Sequence, residues 1–193
     1  LGHELGVEVV ELGPDVTSLS IGDRCSVEPY LNCGDCIACR AGRTNCCASL
    51  RVLGVHMDGG MTDYLTLPAA KLHRSTVLAL EHLALVETLA IGSHAVERAG
   101  IQPGEWALVI GAGPIGLAAL QFARLSGART IALDMNAERL ALTQAMGLVD
   151  ATLQPDQHSA DALQALPGAD LPTLVFDATG NARSMAPALS FVA

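Results

Sequence analysis

The chain has 193 residues, half of them hydrophobic, with 11 Lys+Arg against 20 Asp+Glu and a net charge of −9. That apolar content suffices for one large core or two smaller ones, and the acidic balance repels nucleic acid and anionic membrane surfaces, leaving small molecules as the expected partners. Apolar runs around Leu78 to Ile91 and Ala107 to Ile110 are broken by charge or glycine before they reach a membrane span, so a cytoplasmic location is expected. With Leu1 first and Ala193 falling just after an apparent helix start, the chain is expected to be a fragment.

Residues 1 to about 75 alternate apolar and polar at period two, as in Val7-Glu8-Val9 and Tyr64-Leu65-Thr66-Leu67, with turns at Gly13-Pro14-Asp15 and Gly22-Asp23. This half is predicted to be mostly β. From Ala84 to Ala99 the apolar spacing becomes helical, and Gly100 with Pro103 just beyond fits a helix stop. Afterwards the pattern predicts a strand at Trp106 to Ile110, a helix from Pro114 to about Ser126, and a strand at Thr130 to Leu133. A helix at Ala137 to Met146 and a strand at Leu174 to Phe176 complete a βαβ series. The stretch from Gln154 to Pro172 reads as loop with one short helix. The divisions are 1–83 for the β-rich part, 84–102 for a connecting helix and 103–193 for the α/β part.

Four cysteines follow the spacing Cys33-x2-Cys36-x2-Cys39-x7-Cys47. Short Cys-x2-Cys steps let a tight loop place thiolates on one Zn2+, and Gly34, Gly42, Asp35 and Asn45 supply the turn chemistry. A disulfide cluster or buried unreactive thiols are the alternatives. Cys46 and Cys47 are adjacent and one of them completes the site; Cys47 is the choice, with Cys46 a spare thiol. Cys25 lies in an apolar strand and reads as core, as does Trp106.

Gly111-Ala112-Gly113-Pro114-Ile115-Gly116 sits between an apolar strand and a helix. The first glycine allows the tight turn, the second a close approach of a pyrophosphate, and the third the packing of helix on strand. Asp134, eighteen residues after Gly116, ends the second strand, where a carboxylate accepts both ribose hydroxyls of NAD and repels a 2′-phosphate. The alternative for Asp134 is a helix N-cap. Arg139 lies against the adenine side or is a solvated helix residue. Asp177-Ala-Thr179-Gly-Asn181 follows the later strand and lies at the carboxyl edge of the sheet, where it can line the nicotinamide end. His56 precedes a glycine pair and either projects into a substrate cleft or is a partly exposed structural histidine. His73, His82, His94 and His158 show no ligand spacing.

Taken in order, Gly2-His3-Glu4-Leu5-Gly6, Gly22-Asp23-Arg24, the cysteine lobe, Gly59-Gly60-Met61-Thr62-Asp63-Tyr64 and Gly111 to Gly116 resemble the zinc-containing medium-chain dehydrogenases across the whole chain. The resemblance implies a partial GroES-like catalytic domain with a structural zinc lobe at about 30–50 and a partial Rossmann coenzyme domain. Glu28-Pro29 and Glu87-x-Leu89 look more like the polyol and sugar dehydrogenases, and Val55 to Gly60 like branches acting on L-gulonate, L-idonate or L-galactonate.

The resemblance also implies a second, catalytic zinc. His3 matches its histidine, Glu4 the neighbouring acid that ligates the ion or stands behind it, and Glu87 the position where polyol enzymes carry a glutamate; the family's upstream cysteine is absent. Without the family, His3 and Glu4 read as a surface pair and Glu87 as a solvent-facing helix carboxylate. The implied reaction is oxidation of a secondary alcohol by NAD, in which zinc lowers the alcohol's pKa and hydride moves to the nicotinamide ring. A homodimer or homotetramer is expected of the full-length protein. A non-catalytic zinc- and nucleotide-binding protein on the same fold is the alternative of a different class, and a zinc-free quinone reductase is a poorer enzyme alternative.

Overall fold

The structure is a computed structural model that describes residues 1–155, 159–166 and 171–193. The chain divides into two compact units, Leu1–Glu87 and Thr88–Ala193. No helix among the described residues is long and apolar enough to cross a membrane.

In the first unit the elements in chain order are β1 (Gly6–Glu8), β2 (Arg24–Val27), β3 (Tyr30–Leu31), α1 (Ile37–Arg40), β4 (Arg51–Val52), β5 (Leu72–Arg74) and α2 (Leu80–Ala84). β1, β2 and β5 form an antiparallel sheet with β2 in the middle, and β3 pairs with β4 so that Tyr30 faces Val52 in the register. Cys25 of β2 is fully buried with Val9 and Leu19, and Val7, Val16 and Leu72 pack around them. Helix α2 rests on β1 because Gly6 has no side chain: a Cβ there would lie 2.1 Å from the Leu80 carbonyl oxygen.

Strands in this half are shorter than the alternation predicted. The Tyr64–Leu67 stretch belongs to no strand. Period two is necessary for a half-buried strand but not sufficient, since a strand also needs a neighbour to take its backbone hydrogen bonds. No described strand lies beside this one, and Tyr64 is exposed.

Helix α3 (Val86–Ala99) follows α2 after a break at Leu85 and matches the helix predicted from Ala84 to Ala99, starting two residues later; it ends at Gly100, whose φ of +64° is the usual helix-terminating conformation. The second unit continues with β6 (Trp106–Ile110), α4 (Pro114–Leu125), β7 (Arg129–Leu133), α5 (Ala137–Ala145), β8 (Ala151–Leu153), α6 (Ser159–Gln164), β9 (Leu174–Asp177) and α7 (Ala182–Ala188). Their parallel sheet has the order β8-β7-β6-β9. β6 is buried at every position, as a central parallel strand covered on both faces must be. One face packs Leu108, Ile110, Ile131, Leu133 and Leu163 together, the other Val109, Leu120, Ala132 and Leu140. Trp106 joins the first cluster, with the Arg129 guanidinium 3.9 Å from its ring centroid. β8 was not predicted; three residues are too few for a periodicity to register. Of the stretch from Gln154 to Pro172, α6 is described, and His158 lies outside the described residues.

Candidate functional site

The cysteine loop folds as its turn residues dictate. Cys36 caps α1, its sulfur accepting from the Cys39 N–H, and Gly34 and Gly42 take positive φ values of 81° and 72°. The four Sγ atoms of Cys33, Cys36, Cys39 and Cys47 converge to within 4.8 Å of one another, with Cys47 rather than Cys46 in the cluster. Cys33 Sγ stands 3.5 Å from Cys47 Sγ and 4.0 Å from Cys39 Sγ. A tetrahedral ion with Zn–S bonds of about 2.3 Å has sulfur–sulfur edges of about 3.8 Å, whereas a disulfide needs about 2.05 Å. All six cysteines are free thiols, so the disulfide alternative does not hold here.

Backbone N–H groups already face the sulfurs. Cys33 N and Ser49 N each lie 3.3 Å from Cys47 Sγ, and Cys36 N lies 3.4 Å from Cys33 Sγ. Donation from the backbone at Cys39 holds the Cys36 thiol down at about 6, and donation from Cys33 lowers Cys47. Desolvation, followed by the neighbouring Cys36 sulfur, pushes Cys39 up to about 11. The loop thus favours negative charge on part of its sulfur set, which is the ionisation a metal requires. Cys25 is different: burial pushes its thiol up, and it stays in the core.

Also in the first unit, His3, Glu4 and Glu87 each place one ligand atom within 4.8 Å of the others. His3 and Glu4 precede β1, while Glu87 stands in the first turn of α3. Glu87 is 7 % exposed and has no ion-pair partner among the described residues, so it is not a solvent-facing helix carboxylate. A buried carboxylate with no cation is costly. The side chain it does have is Tyr30, whose hydroxyl donates to Glu87 Oε1. Burial, followed by that hydrogen bond, pushes the Tyr30 hydroxyl well above the usual phenol range, so it remains a donor. One nitrogen and two carboxylates form a donor set that suits a zinc with an open position. The link to Tyr30 crosses 57 positions, and no local pattern in the sequence signals it.

His56 is exposed, and its Nδ1 accepts from the Val52 N–H at 3.1 Å, which leaves Nε2 to carry the proton of the neutral ring. The loop after His56 is tied to the His3 segment by Gly60 N donating to Gly2 O at 2.8 Å. A groove of about 750 Å³ in this unit is lined by Leu31, Leu53, Met57, Asp58 and Met61 among others, and His56 is not part of its lining. His73 stands 3.6 Å from Glu28, and neither it nor His82 or His94 joins a group of converging ligands among the described residues.

In the second unit the glycine turn joins β6 to α4. Gly111 has φ +94°, and its N–H donates to Leu133 O at 2.7 Å. A Cβ on Gly116 would fall 1.8 Å from Gly111 O. Gly113 precedes α4 at φ −79°, and a Cβ there would meet nothing nearer than Arg139 Nη1 at 3.9 Å. Pro114 opens the helix, where no intrahelical N–H is needed, and Ile115 follows it in the first turn.

Asp134 is 9 % exposed; its Oδ2 accepts from Ala112 N at 2.7 Å and its Oδ1 from Asn136 N at 2.7 Å. The N-cap of α5 is Asn136, whose Oδ1 accepts from Glu138 N and Arg139 N, so Asp134 is not the cap. Arg139 Nη1 lies 3.9 Å from Asp134 Oδ2, with just over half its side chain exposed. Because β9 lies on the other side of β6 from β7, the sheet reverses its order at the Gly111 turn, where open α/β sheets leave a crevice. Thr179 enters there: a Cβ on Gly111 would lie 3.0 Å from its Cγ2. Thr179 Oγ1 and N donate to Asp177 Oδ1 at 2.6 and 2.8 Å. Burial raises the Asp177 carboxyl, but these bonds outweigh it and hold it below its ordinary value.

Known proteins resemble both halves. The family described as alcohol dehydrogenase GroES-like domain matches residues 1–77, and the family described as zinc-binding dehydrogenase matches residues 114–193. L-galactonate-5-dehydrogenase of Escherichia coli K12 is 42 % identical over 189 residues, which are 96 % of this chain and 54 % of that protein. A proposed zinc-binding dehydrogenase of Sinorhizobium meliloti 1021 bound to NADP superposes with a TM-score of 0.92 at 32 % identity, covering 100 % of this chain and 57 % of that one. A short chain alcohol dehydrogenase of E. coli CFT073 complexed with NADH gives 0.87 at 28 % identity, covering 99 % and 57 %. The chain spans about half the length of the curated relatives it matches. The first family falls on the half that gathers the cysteines with His3 and Glu4, and the second on the half that holds the glycine turn and Asp134; the chain belongs to the zinc-containing medium-chain dehydrogenases.

Proposed function

We propose that the protein of which this chain is part is a zinc-dependent dehydrogenase that transfers hydride from a secondary alcohol of a polyol or sugar acid to NAD. The observation that carries this reading is the convergence of His3, Glu4 and the buried, cation-free Glu87. Residues 1–83 are the GroES-like catalytic part, 84–102 the connecting helix and 103–193 the coenzyme part. His3, Glu4 and Glu87 would hold a zinc ion, which would supply Lewis-acid polarisation of the substrate hydroxyl. Cys33, Cys36, Cys39 and Cys47 would hold a second with a full thiolate set, leaving no place for substrate and a structural role alone. In the Gly111–Gly116 turn the N–H groups of Gly113, Ile115 and Gly116 are left at the start of α4 for the coenzyme pyrophosphate, those of Gly111 and Ala112 being taken by Leu133 O and Asp134 Oδ2. Asp134 takes the ribose hydroxyls, Arg139 flanks the adenosine side, and Thr179 borders the nicotinamide end. His56 offers an Nε2–H to a substrate hydroxyl or carboxylate. The acidic Asp134 favours NAD over NADP, and likeness to the L-galactonate enzyme supports the sugar-acid class. The protein works in the cytoplasm as a homodimer or homotetramer.

The test is NADH formation by the full-length, zinc-loaded protein over simple alcohols, polyols and sugar acids, repeated after chelation. Chelator-sensitive turnover of a polyol or sugar acid is expected; turnover that survives removal of both metals would refute the reading.

A further inference from the structure

We propose that Tyr30 is a positioning residue for the catalytic metal, its hydroxyl holding Glu87 so that a single carboxylate oxygen is offered to the ion; this rests on the reading of His3, Glu4 and Glu87 as metal ligands. Tyr30 OH donates to Glu87 Oε1, and Glu87 is 7 % exposed. With Oε1 accepting from the tyrosine, Oε2 is the oxygen with both lone-pair sites open to a metal. The tyrosine itself is fixed from behind: it lies in β3, whose backbone pairs with β4 in the register Tyr30↔Val52. Glu87 stands in the first turn of α3, so the hydrogen bond joins the ribbon to the start of the helix.

Glu4 contrasts with this. It is exposed and without an assigned side-chain partner among the described residues, whereas Glu87 is enclosed and oriented. A carboxylate held by an outer hydrogen bond loses less rotamer freedom on binding a metal and presents a defined geometry. Removal of such outer partners costs roughly 10- to 100-fold in metal affinity. Arginine or lysine beside Glu87 would instead compete with the metal for its charge; a neutral hydroxyl orients the carboxylate without neutralising it.

The experiment uses full-length protein with zinc kept in the cysteine lobe and Co2+ placed at the His3 site alone, as wild type, Tyr30→Phe, Glu87→Gln and the double variant. Visible d–d absorption then reads the His3 site, chelator competition reads its affinity, and retention of the lobe zinc reports that the unit is folded. Tyr30→Phe is expected to shift the d–d bands and weaken Co2+ at that site roughly 10- to 100-fold with the lobe zinc retained. In the Glu87→Gln background the same substitution should add little. If Glu87→Gln weakens the metal and Tyr30→Phe does not, or if the two losses simply add, the positioning role is overturned and the ligand reading stands. If Glu87→Gln itself leaves the d–d bands and affinity unchanged, Glu87 is no ligand and both fall.

Discussion

Three glycines in one motif stand in three different surroundings, and the contacts around each residue say which substitution should harm what. At Gly116 a methyl would collide with the Gly111 carbonyl, 1.8 Å from the Cβ position. Backbone has to move, so Gly116→Ala should cost about 1–3 kcal/mol of stability. At Gly113 the backbone is ordinary and the nearest atom is 3.9 Å away. Gly113 is the N-cap of α4, where Ala is poorer than Gly, so Gly113→Ala should cost no more than about 1 kcal/mol in urea while its methyl takes up the space a pyrophosphate must approach, weakening NADH at least about tenfold. Urea titration and NADH fluorescence on the two variants check this, and the reverse pattern would refute the division of roles. The placement of these glycines was legible in the sequence because it is local. So was that of Asp134 at the end of β7, although its bond to Ala112 N was not. Tyr30 was invisible, since its partner is 57 positions away and a lone tyrosine in a short apolar stretch has no spacing to read.

Elements differ in what holds them. β6 is buried at every position and its apolar run announced it, whereas α1 contains no buried residue at all. A four-residue helix cannot persist on propensity and only Cys47 in the cluster is buried, so the order of the cysteine lobe is expected to rest on a metal bound by the four thiolates rather than on apolar packing. Arg40 and Arg43 are exposed within it. With Cys36→Ser in the full-length, zinc-loaded protein, trypsin should cut after Arg40 or Arg43 several-fold faster than in wild type. Cleavage at Arg24 and Arg74, paired in the β1-β2-β5 sheet, should stay slow. Equal protection of the lobe in variant and wild type, read by mass spectrometry of the fragments, would show that the metal is not what orders it. The same contrast explains where the sequence misled. Tyr64–Leu67 had the alternation of a strand but no described neighbour, and β8 had neighbours but too few residues to show a period.

At the scale of the whole molecule, stability is spread unevenly and for different reasons. The second unit has apolar clusters on both faces of a parallel sheet. The first has one small cluster around Cys25 and two converging sets of polar ligands. Metal should therefore matter to the first unit and coenzyme to the second. A ligand that binds only the folded state stabilises it by RT ln(1 + [L]/Kd), about 2.7 kcal/mol at a hundredfold excess over Kd. Hydrogen exchange of the full-length protein reads where that protection appears. Chelation should speed exchange in Leu1–Glu87, first in residues 33–47. NADH should slow exchange at residues 111–116 and 177–181, the two loops that follow β6 and β9. If chelation loosens the parallel sheet as much as the cysteine lobe, or if NADH protects the first unit alone, the assignment of metal to one unit and coenzyme to the other is wrong. Protection divided between the units as stated would tie each ligand to the residues that its chemistry requires.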